Sequence, residues 1–407
     1  MIDHIVVIND LSVPKGGATA LALASASAFR ARGYRVTFVT GDDGDNPALR
    51  DQGVEIVALG SKRLLSGGAL TALTRGVYNR AAADMVARWI AANDRPSTVY
   101  HVHGWAQILS PSLFAAIAPV RARLVYSAHD FFLACPNGAF AFLKTGAVCT
   151  LTPMSPGCIG ANCDRRSYAH KLWRVGRQAV QRHHYDPRHS PPVLAIHESM
   201  RPYLMRAGIP DAAIEALPNP VVPWCSTRVE AERNAEILFI GRLEATKGPD
   251  LAAAAARAAG CTLRVIGDGV LRESLQASYP EMSFMGQQLP AAIRGYAERA
   301  RMLVMPSRYP EPYGLVAAEA LWSGLPVIIT DTAFLADDIV AAGAGLAIEP
   351  RDTLAFAAAI RLIAEDDALA RRMSEAAYGD TRGLALTPDA WIDRLLDAYA
   401  RRLAMAA

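Results

Sequence analysis

Short apolar runs alternate with longer helical segments along the first half of the chain. An apolar run over 4–8 is followed by a loop that carries Gly16 and Gly17 and by a helical stretch over 18–32 that Gly33 ends. The next apolar run, 36–40, completes a strand, glycine loop, helix, strand unit, which is typical of a parallel doubly wound sheet. Further strands of this half are predicted at 55–59, 98–102, 123–127 and 192–196.

The second half repeats this alternation more regularly. Its predicted strands are 237–240, 262–266, 283–285, 302–305 and 326–330. Its predicted helices are 248–259, 271–277, 290–300, 312–322 and, last in the chain, about 390–403. Such alternation predicts right-handed crossovers and helices on both sheet faces. We therefore expect an α/β protein of two Rossmann-like, doubly wound parallel-sheet domains facing across a cleft, with ligands beyond the carboxyl ends of the strands.

Length, charge and hydropathy fit this architecture. The 407 residues suffice for two domains, and the prolines around 218–223 predict a linker. We place the domains at 1–222 and 223–385 and a final helix at 386–407. The net charge of +3 gives little reason to expect a nucleic-acid partner. Because no apolar run is long enough to span a bilayer and the start lacks a basic leader, we expect a cytoplasmic protein.

The strongest candidate site follows the predicted strand 302–305, in the segment RYPEPYGLVAAEA over 308–320. Pro312 suits a first helical turn, which places Glu311 just before the helix and Glu319 about two turns into it. The two carboxylates can accept hydrogen bonds from sugar hydroxyls. The amides expected to bind phosphate or sugar oxygens, aided by the helix dipole, belong to Gly314, Leu315 and Val316. A surface helix with two solvated glutamates is the alternative.

A second candidate site lies in the segment GRLEATKG over 241–248, again between a predicted strand and a predicted helix. Arg242 can form a forked contact with a phosphate, and Lys247 adds a compact charge. Two cations at this spacing suit a diphosphate. Ordinary surface cations are the alternative, and the position directly after a strand favours the binding site.

Together these motifs resemble family 4 of the retaining glycosyltransferases, also called group 1, which have the GT-B fold. The resemblance rests on the Gly-Arg-Leu-x-x-x-Lys-Gly motif and on the two glutamates eight residues apart. The Gly16-Gly17 loop, the His129-Asp130 pair and the segment 323–327 agree with it. The motifs occur in the family's order over nearly the whole chain, and this joint occurrence makes the resemblance specific.

The resemblance implies a role for each matching residue of the second half. Arg242 and Lys247 correspond to ligands of the donor diphosphate that stabilise the charge of the leaving group. Glu319 corresponds to the residue that binds the nucleotide ribose, and Glu311 to the contact with donor-sugar hydroxyls near the reacting carbon. Enzymes of this family generally need no metal for catalysis. The expected donor is therefore a nucleotide-diphosphate sugar, with no required cofactor.

Matching residues of the first half acquire roles in the same way. Gly16 and Gly17 correspond to a loop whose small residues allow donor and acceptor to approach closely. His129 corresponds to a histidine that positions the transferred sugar. The resemblance also implies that the anomeric configuration is retained, that the leaving phosphate accepts the acceptor's proton, and that the final helix packs back on the first domain. A glycosidase-type carboxylate pair is therefore not assigned.

We expect transfer of a sugar to a glycan or lipid-linked acceptor, and the resemblance indicates bacterial surface polysaccharide synthesis. A sugar-nucleotide epimerase of the same fold is one alternative. A non-catalytic partner that binds nucleotide sugar for another transferase is a second. A nicotinamide oxidoreductase is disfavoured, because the glycines at Gly267 and Gly269 do not complete the dinucleotide fingerprint.

Three weaker features remain. Four cysteines in an irregular insertion are expected either to hold structural zinc or to be free buried thiols: Cys135, Cys149, Cys158 and Cys163. His101 and His103 face one way at a strand end, and a structural or acceptor-side role is favoured over a metal site. The basic segment Arg165–Arg188 suits peripheral contact with an anionic membrane surface or with the diphosphate of a lipid-linked acceptor, with a solvated helix face as the alternative.

Overall fold

A computed structural model describes residues 2–14, 16–62 and 73–406. The chain divides into two compact units. Unit 1 comprises Met1–Lys144, Cys149–Leu217 and Ala390–Ala407, and unit 2 comprises Thr145–Val148 and Pro218–Asp389. The change of unit falls at Leu217/Pro218, a few residues before the predicted 222/223. The end of the chain belongs to unit 1 from Ala390 onward, in line with the expectation for the final helix.

Unit 1 contains a sheet of seven parallel strands in the order β3-β2-β1-β4-β5-β6-β7. Its strands are β1 His4–Asn9, β2 Arg35–Thr40, β3 Glu55–Ala58, β4 Thr98–Val102, β5 Leu124–Ala128, β6 Val193–Ala195 and β7 Ile214–Ala216. The central strands β1, β4 and β5 are buried along their whole length. This explains their almost continuous apolar sequences, which are typical of strands covered on both faces.

The helices of unit 1 connect these strands. They are α1 Gly17–Ala31, α2 Pro47–Asp51, α3 Arg80–Asn93, α4 Ser112–Ala116, α5 Pro156–Gly160, α6 Tyr168–His184 and α7 Arg201–Arg206. The last helix of the chain, α15 Pro388–Ala406, has most of its length in unit 1. Its residue Tyr399 is fully buried beside Phe29 of α1, with ring centroids 5.6 Å apart.

Unit 2 contains a six-stranded parallel sheet in the order β10-β9-β8-β11-β12-β13. Its strands are β8 Glu236–Ile240, β9 Leu263–Ile266, β10 Ser283–Phe284, β11 Ala300–Met305, β12 Val327–Thr330 and β13 Gly345–Ile348. Its helices are α8 Pro249–Ala259, α9 Arg272–Ser278, α10 Pro290–Ala297, α11 Leu315–Trp322, α12 Ala336–Ala341, α13 Thr353–Glu365 and α14 Asp367–Asp380. The buried alanines of α8 lie in one core cluster with Phe356 and Ile360 of α13, because small side chains allow two helices to pack closely.

The prediction of two doubly wound parallel sheets is confirmed. In each sheet the order reverses beside the first strand, between β1 and β4 and between β8 and β11. Loops after strands at such a reversal diverge and leave room for a ligand. The motif segments 241–248 and 308–320 follow β8 and β11 directly, so the fold places both beside the reversal of the second sheet.

Several elements differ from the sequence predictions, among them the helices α12, α13 and α14, which were not predicted. Strands β7 and β13 were not predicted, because each is only three or four residues long and carries a glutamate or a glycine. The helix predicted at 312–322 begins at Leu315. Within the described residues, no helix combines the length and the apolarity needed to cross a bilayer.

Candidate functional site

The two motif segments of unit 2 meet at one ion pair. Lys247 Nζ lies 2.6 Å from Glu311 Oε2, and Ser307 Oγ donates to the same carboxylate oxygen at 3.1 Å. The side chains of Lys247 and Glu311 are 23% and 13% exposed, so the pair is largely shielded from water. A shielded pair with a third hydrogen bond is held more firmly than a surface ion pair.

The surroundings of Lys247 keep it charged. Its ammonium lies 5.6 Å from the centre of the Tyr309 ring, within the range of a cation–π contact. Burial alone lowers the pKa of Lys247, but the Glu311 carboxylate and Tyr309 outweigh it and hold the pKa above its ordinary value. A fixed positive charge that is partly dehydrated is a strong ligand for phosphate oxygens.

Backbone contacts fix the position of Lys247 relative to β11. The next residue, Gly248, has φ +68°, and a Cβ there would lie 2.0 Å from the carbonyl oxygen of Pro306. Arg308 N donates to the Thr246 carbonyl at 2.9 Å, and the Arg308 guanidinium donates to Asp250 at 2.7 Å. Only glycine fits the close approach at 248, so the sequence Lys-Gly directly sets the geometry of the site.

The predicted helix start at Pro312 is wrong. Gly314 is the N-cap of α11, and its carbonyl accepts the first helical hydrogen bonds from Ala317 and Ala318. Pro312 therefore lies before the helix, because the segment between β11 and α11 first turns to bring Glu311 to Lys247. The first amides of a helix have no intrahelical acceptor, and in α11 these belong to Gly314, Leu315 and Val316, as the motif predicted.

Glu319 lies in the second turn of α11 and is half-buried. Burial raises the pKa of its carboxyl to about 7, and a hydrogen bond from the Trp224 side chain opposes that shift. Ser323 Oγ accepts from Trp224 N at 2.8 Å and donates to the Glu319 carbonyl at 2.8 Å. These two hydrogen bonds fix the Trp224 backbone to the end of α11. The carboxylate is thus held in place and titrates near neutral pH.

Arg242 differs from Lys247 in its surroundings. Its side chain is 64% exposed, and it donates to Glu244 at 2.9 Å. An exposed pair between residues two apart contributes little to stability. The guanidinium can therefore leave Glu244 for a phosphate at small cost.

The glycine loop of unit 1 begins α1. Gly16 is the N-cap of this helix with φ +112°, a backbone conformation that L side chains rarely adopt. At the end of β1, the Asp10 carboxylate accepts hydrogen bonds from the amides of Gln107, Ile108 and Leu109, at 2.6, 2.9 and 2.8 Å. Asp10 was not predicted. It fixes the loop after β4 to the end of β1, on the sheet edge where the Gly16-Gly17 loop also starts.

His129 directly follows β5 and contacts a second histidine. Its Nε2 lies 2.9 Å from Nδ1 of His103, and His103 Nε2 lies 3.1 Å from Nδ1 of His101. Burial lowers the pKa of His129 to about 4, so the ring is neutral near pH 7. His101 and His103 thus form one hydrogen-bonded chain with His129. Strand alternation predicted that His101 and His103 face the same way, but their contact with His129 could not be predicted from the spacing of these residues.

Three further residues at these sites were missed in the sequence. Ser307 and Tyr309 belong to the segment between β11 and α11, so the position of that segment after a strand was a usable signal. Trp224 lies about a hundred residues before Glu319, and no pattern in the sequence connects the two.

The four clustered cysteines line one small cavity of unit 1 together with Lys171. Lys171 Nζ donates to Cys158 Sγ at 3.5 Å, and burial raises the pKa of the Cys135 thiol to about 11. All four sulfurs are free thiols. In the described part of the chain, no three or more His, Cys, Asp or Glu side chains are arranged to hold a metal ion. The zinc site at Cys135, Cys149, Cys158 and Cys163 stays a prediction without structural support.

The basic segment Arg165–Arg188 is not a continuous exposed face. Three of its cations point inward: Arg174 pairs with buried Asp164 at 2.7 Å, Arg177 donates to the Ala106 carbonyl at 2.8 Å, and Lys171 lies among the cysteines. The exposed cations are Arg165, Arg166 and Arg188. Much of the charge counted in the sequence is therefore structural, and the membrane contact stays a prediction.

Two models of known families match the chain. The glycosyl transferase 4-like domain matches residues 16–220, and glycosyl transferases group 1 matches residues 227–380. Glycogen synthase of Mycobacterium tuberculosis (strain CDC 1551 / Oshkosh) is 35% identical over 154 residues, which are 35% of this chain and 37% of that protein. This similarity spans little more than a third of the relative's length.

Solved structures resemble the whole chain. Sucrose-phosphate synthase from Thermosynechococcus elongatus has a TM-score of 0.72 at 18% identity, over 99% of both chains. Anabaena HepE in complex with UDP has a TM-score of 0.67 at 16% identity, over 98% of this chain and 99% of that chain. At these identities the likeness shows the fold alone, which is GT-B. With the two family models following one another along the sequence, the chain belongs to the group 1, family 4-like glycosyltransferases.

Proposed function

We propose that the protein is a retaining glycosyltransferase that moves a sugar from a nucleotide-diphosphate sugar to a glycan or lipid-linked acceptor. The observation that carries the proposal is the Lys247–Glu311 contact at 2.6 Å beside the start of α11. It brings a phosphate-binding cation and a sugar-binding carboxylate together at the reversal of a parallel sheet, where this class of fold binds ligands. Family membership gives the reaction type.

The donor diphosphate binds to Lys247 and Arg242 in this account. Lys247 is shielded and stays charged, whereas Arg242 is exposed and pairs with Glu244. The first amides of α11, at Leu315 and Val316, add partial positive charge to the same region. These groups neutralise the diphosphate as the bond to the sugar breaks, so the protein supplies that charge stabilisation without a required metal.

The carboxylates select the remaining parts of the donor. Glu319 accepts hydrogen bonds from the ribose hydroxyls, and Glu311 accepts from hydroxyls of the transferred sugar. His129 contacts that sugar too, and the Gly16-Gly17 loop allows donor and acceptor to approach. The bond between the sugar carbon and the phosphate oxygen breaks as the acceptor oxygen bonds to the same carbon on the same side. The acceptor's proton passes to the leaving phosphate.

The base and the pathway are finer proposals. HepE binds UDP at a TM-score of 0.67 to this chain, which supports a uridine nucleotide as the first donor to test. Synthesis of bacterial surface polysaccharide, with the protein in the cytoplasm at the inner face of the membrane, is the proposed setting. The exposed cations that support such a contact are Arg165, Arg166 and Arg188.

An activity assay tests this proposal. The protein is incubated with UDP-, GDP- or ADP-sugars and with a simple glycoside or a polyprenyl-phosphate sugar as acceptor. We expect release of one nucleoside diphosphate that depends on the acceptor, and proton NMR of the product should show the donor's anomeric configuration. Isomerised donor without acceptor would instead support an epimerase. Nucleotide binding without turnover of any donor would support a non-catalytic partner, and an inverted product would contradict retention.

A further inference from the structure

A chain of buried polar side chains links the last helix of unit 1 to His129. Tyr399 of α15 lies with its hydroxyl 2.5 Å from Nδ1 of His101, and His101 Nε2 lies 2.8 Å from Ser127 Oγ. The chain continues through His103 to His129, with nitrogen–nitrogen distances of 3.1 and 2.9 Å. Tyr399, His101 and His103 are almost completely inaccessible to water.

The tyrosine sets the direction of this chain. A buried phenol hydroxyl needs an acceptor, and burial holds the pKa of Tyr399 well above its ordinary value, so the hydroxyl keeps its proton. Its acceptor is Nδ1 of His101. Burial lowers the pKa of His101 to about 3, so the ring is neutral and its single proton is on Nε2, directed at Ser127 Oγ.

The direction then propagates from ring to ring. Nδ1 of His101, unprotonated in this tautomer, lies 3.1 Å from Nε2 of His103, and two unprotonated nitrogens at that distance would repel each other. Nε2 of His103 therefore carries the proton of this neutral ring, and its Nδ1 is an acceptor. His129 Nε2 donates to that acceptor at 2.9 Å. A neutral His129 with its proton on Nε2 has an unprotonated Nδ1.

We infer that Tyr399, His101 and His103 are positioning residues that hold His129 in the tautomer whose Nδ1 accepts a hydrogen bond from a hydroxyl of the transferred sugar. The sugar contact rests on the proposed function, whereas the tautomer rests on the geometry of unit 1 alone. On this account His129 orients the sugar as an acceptor and neither takes nor gives a proton during transfer. The other tautomer would direct an N–H at the sugar instead, and such second partners commonly decide which imidazole nitrogen is available.

The tautomer can be measured directly by NMR of protein labelled with ¹⁵N in its histidine rings. His129→Gln identifies the signals of His129 by their loss. We expect a protonated Nε2 and an unprotonated Nδ1 for His129 in the wild type, and a mixture of both tautomers in Tyr399→Phe. Tyr185→Phe, which removes a buried tyrosine hydrogen bond to Ser190, is the matched control and should leave His129 unchanged. A protonated Nδ1 in the wild type, or an unchanged spectrum in Tyr399→Phe, would overturn the inference.

The rate of transfer is a second measurement, and it distinguishes a tyrosine that positions His129 from one that only supports packing. We expect Tyr399→Phe to lower kcat about threefold to tenfold, the effect of one hydrogen bond, while UDP affinity stays the same. In a His129→Gln background the same substitution should have no further effect, because its target is gone. Equal losses in both backgrounds would show that Tyr399 only supports packing. An inactive protein with the expected tautomer would refute the proposed function alone, and an active protein with the other tautomer would refute this inference alone.

Discussion

Lys247 and Glu311 are 64 positions apart in the sequence and form one shielded ion pair with 2.6 Å between Nζ and Oε2. Each belongs to a different motif, and the adjacency of β8 and β11 brings them together. In the free protein each charge neutralises the other. A bound diphosphate would compete with Glu311 for the ammonium and release the carboxylate to the hydroxyls of the donor sugar. The pair is thus a preformed but exchangeable part of the proposed donor site.

Substitution of either partner should separate nucleotide binding from sugar transfer. We expect Lys247→Ala to weaken UDP binding about tenfold or more, since a charge-assisted hydrogen bond to phosphate is lost. Glu311→Gln should leave UDP affinity unchanged or tighter, because Lys247 no longer has a competing carboxylate, while kcat falls at least about a hundredfold. Calorimetric titration with UDP and initial rates at saturating donor give the two values.

Equal weakening of UDP binding by both variants would contradict this division of roles. It would indicate that the pair only holds the two loops together. The melting temperature of each variant, measured without nucleotide, shows whether either substitution unfolds unit 2.

Arg242 should contribute to nucleotide affinity but not to stability. Its pair with Glu244 is exposed, so Arg242→Ala should change the melting temperature by no more than about 2 °C. UDP affinity should fall about tenfold, and the loss should shrink at high salt. Arg294→Ala is the matched control, because Arg294 forms a comparably exposed pair with Glu298. An Arg242 variant that binds UDP as tightly as the Arg294 variant would remove Arg242 from the site.

Glu319 should make both stability and binding depend on pH near neutrality. Its carboxyl pKa is raised by burial to about 7, above the value in the unfolded chain, so its stabilising contribution is complete at low pH. That contribution is lost as the pH rises from about 4.5 through about 7. Chemical denaturation should therefore show wild type losing stability relative to Glu319→Gln by about 1 to 3 kcal/mol between pH 5 and pH 8.

Nucleotide binding should have the opposite pH dependence at this residue. Ribose hydroxyls donate to the ionised carboxylate, so UDP affinity should rise from pH 6 to pH 8 more steeply in wild type than in Glu319→Gln. The variant controls for titration of UDP itself. Parallel pH profiles of affinity in the two proteins would exclude a contact between Glu319 and the nucleotide.

The close approach at Gly248 allows a test with a closely matched control. Gly248 and Gly260 have nearly the same left-handed φ, +68° and +70°, but a Cβ at Gly260 meets nothing within 4 Å. Gly260→Ala should cost about 1 kcal/mol from backbone strain alone. Gly248→Ala should cost clearly more and weaken UDP binding, because the loop must move away from the Pro306 carbonyl and take Lys247 with it. Equal losses of stability, measured by urea denaturation, would contradict the role of that contact.

Much of the fold could be predicted, because buried parallel strands have apolar sequences that stand out between helices. Strand β4, Thr98–Val102, was predicted with its exact bounds, and the motifs after β8 and β11 were found by their position after strands. Strand β7, Ile214–Ala216, was missed because Glu215 interrupts its short apolar run. Pro312 misled the helix start, because proline also suits the turn that precedes a helix.

The contacts within the sites depend on tertiary structure and could not be predicted. No local pattern indicates that Lys247 meets Glu311, or that Tyr399 reaches His101 from the other end of the chain. In the basic segment Arg165–Arg188 the sequence suggested too much rather than too little. Its composition indicated a charged surface, but Lys171 and Arg177 are buried. A sequence gives the number of ionisable groups, but the packing of the folded chain decides which of them face water.

We propose above that unit 2 binds a nucleotide-diphosphate sugar through Lys247. The most direct test is a thermal-shift panel of UDP-, GDP- and ADP-sugars on the wild type and on Lys247→Ala. We expect the donors of one base to raise the wild-type melting temperature by several degrees and the variant to lose most of that shift. A shift of equal size in both proteins, or no shift with any nucleotide sugar, would contradict it.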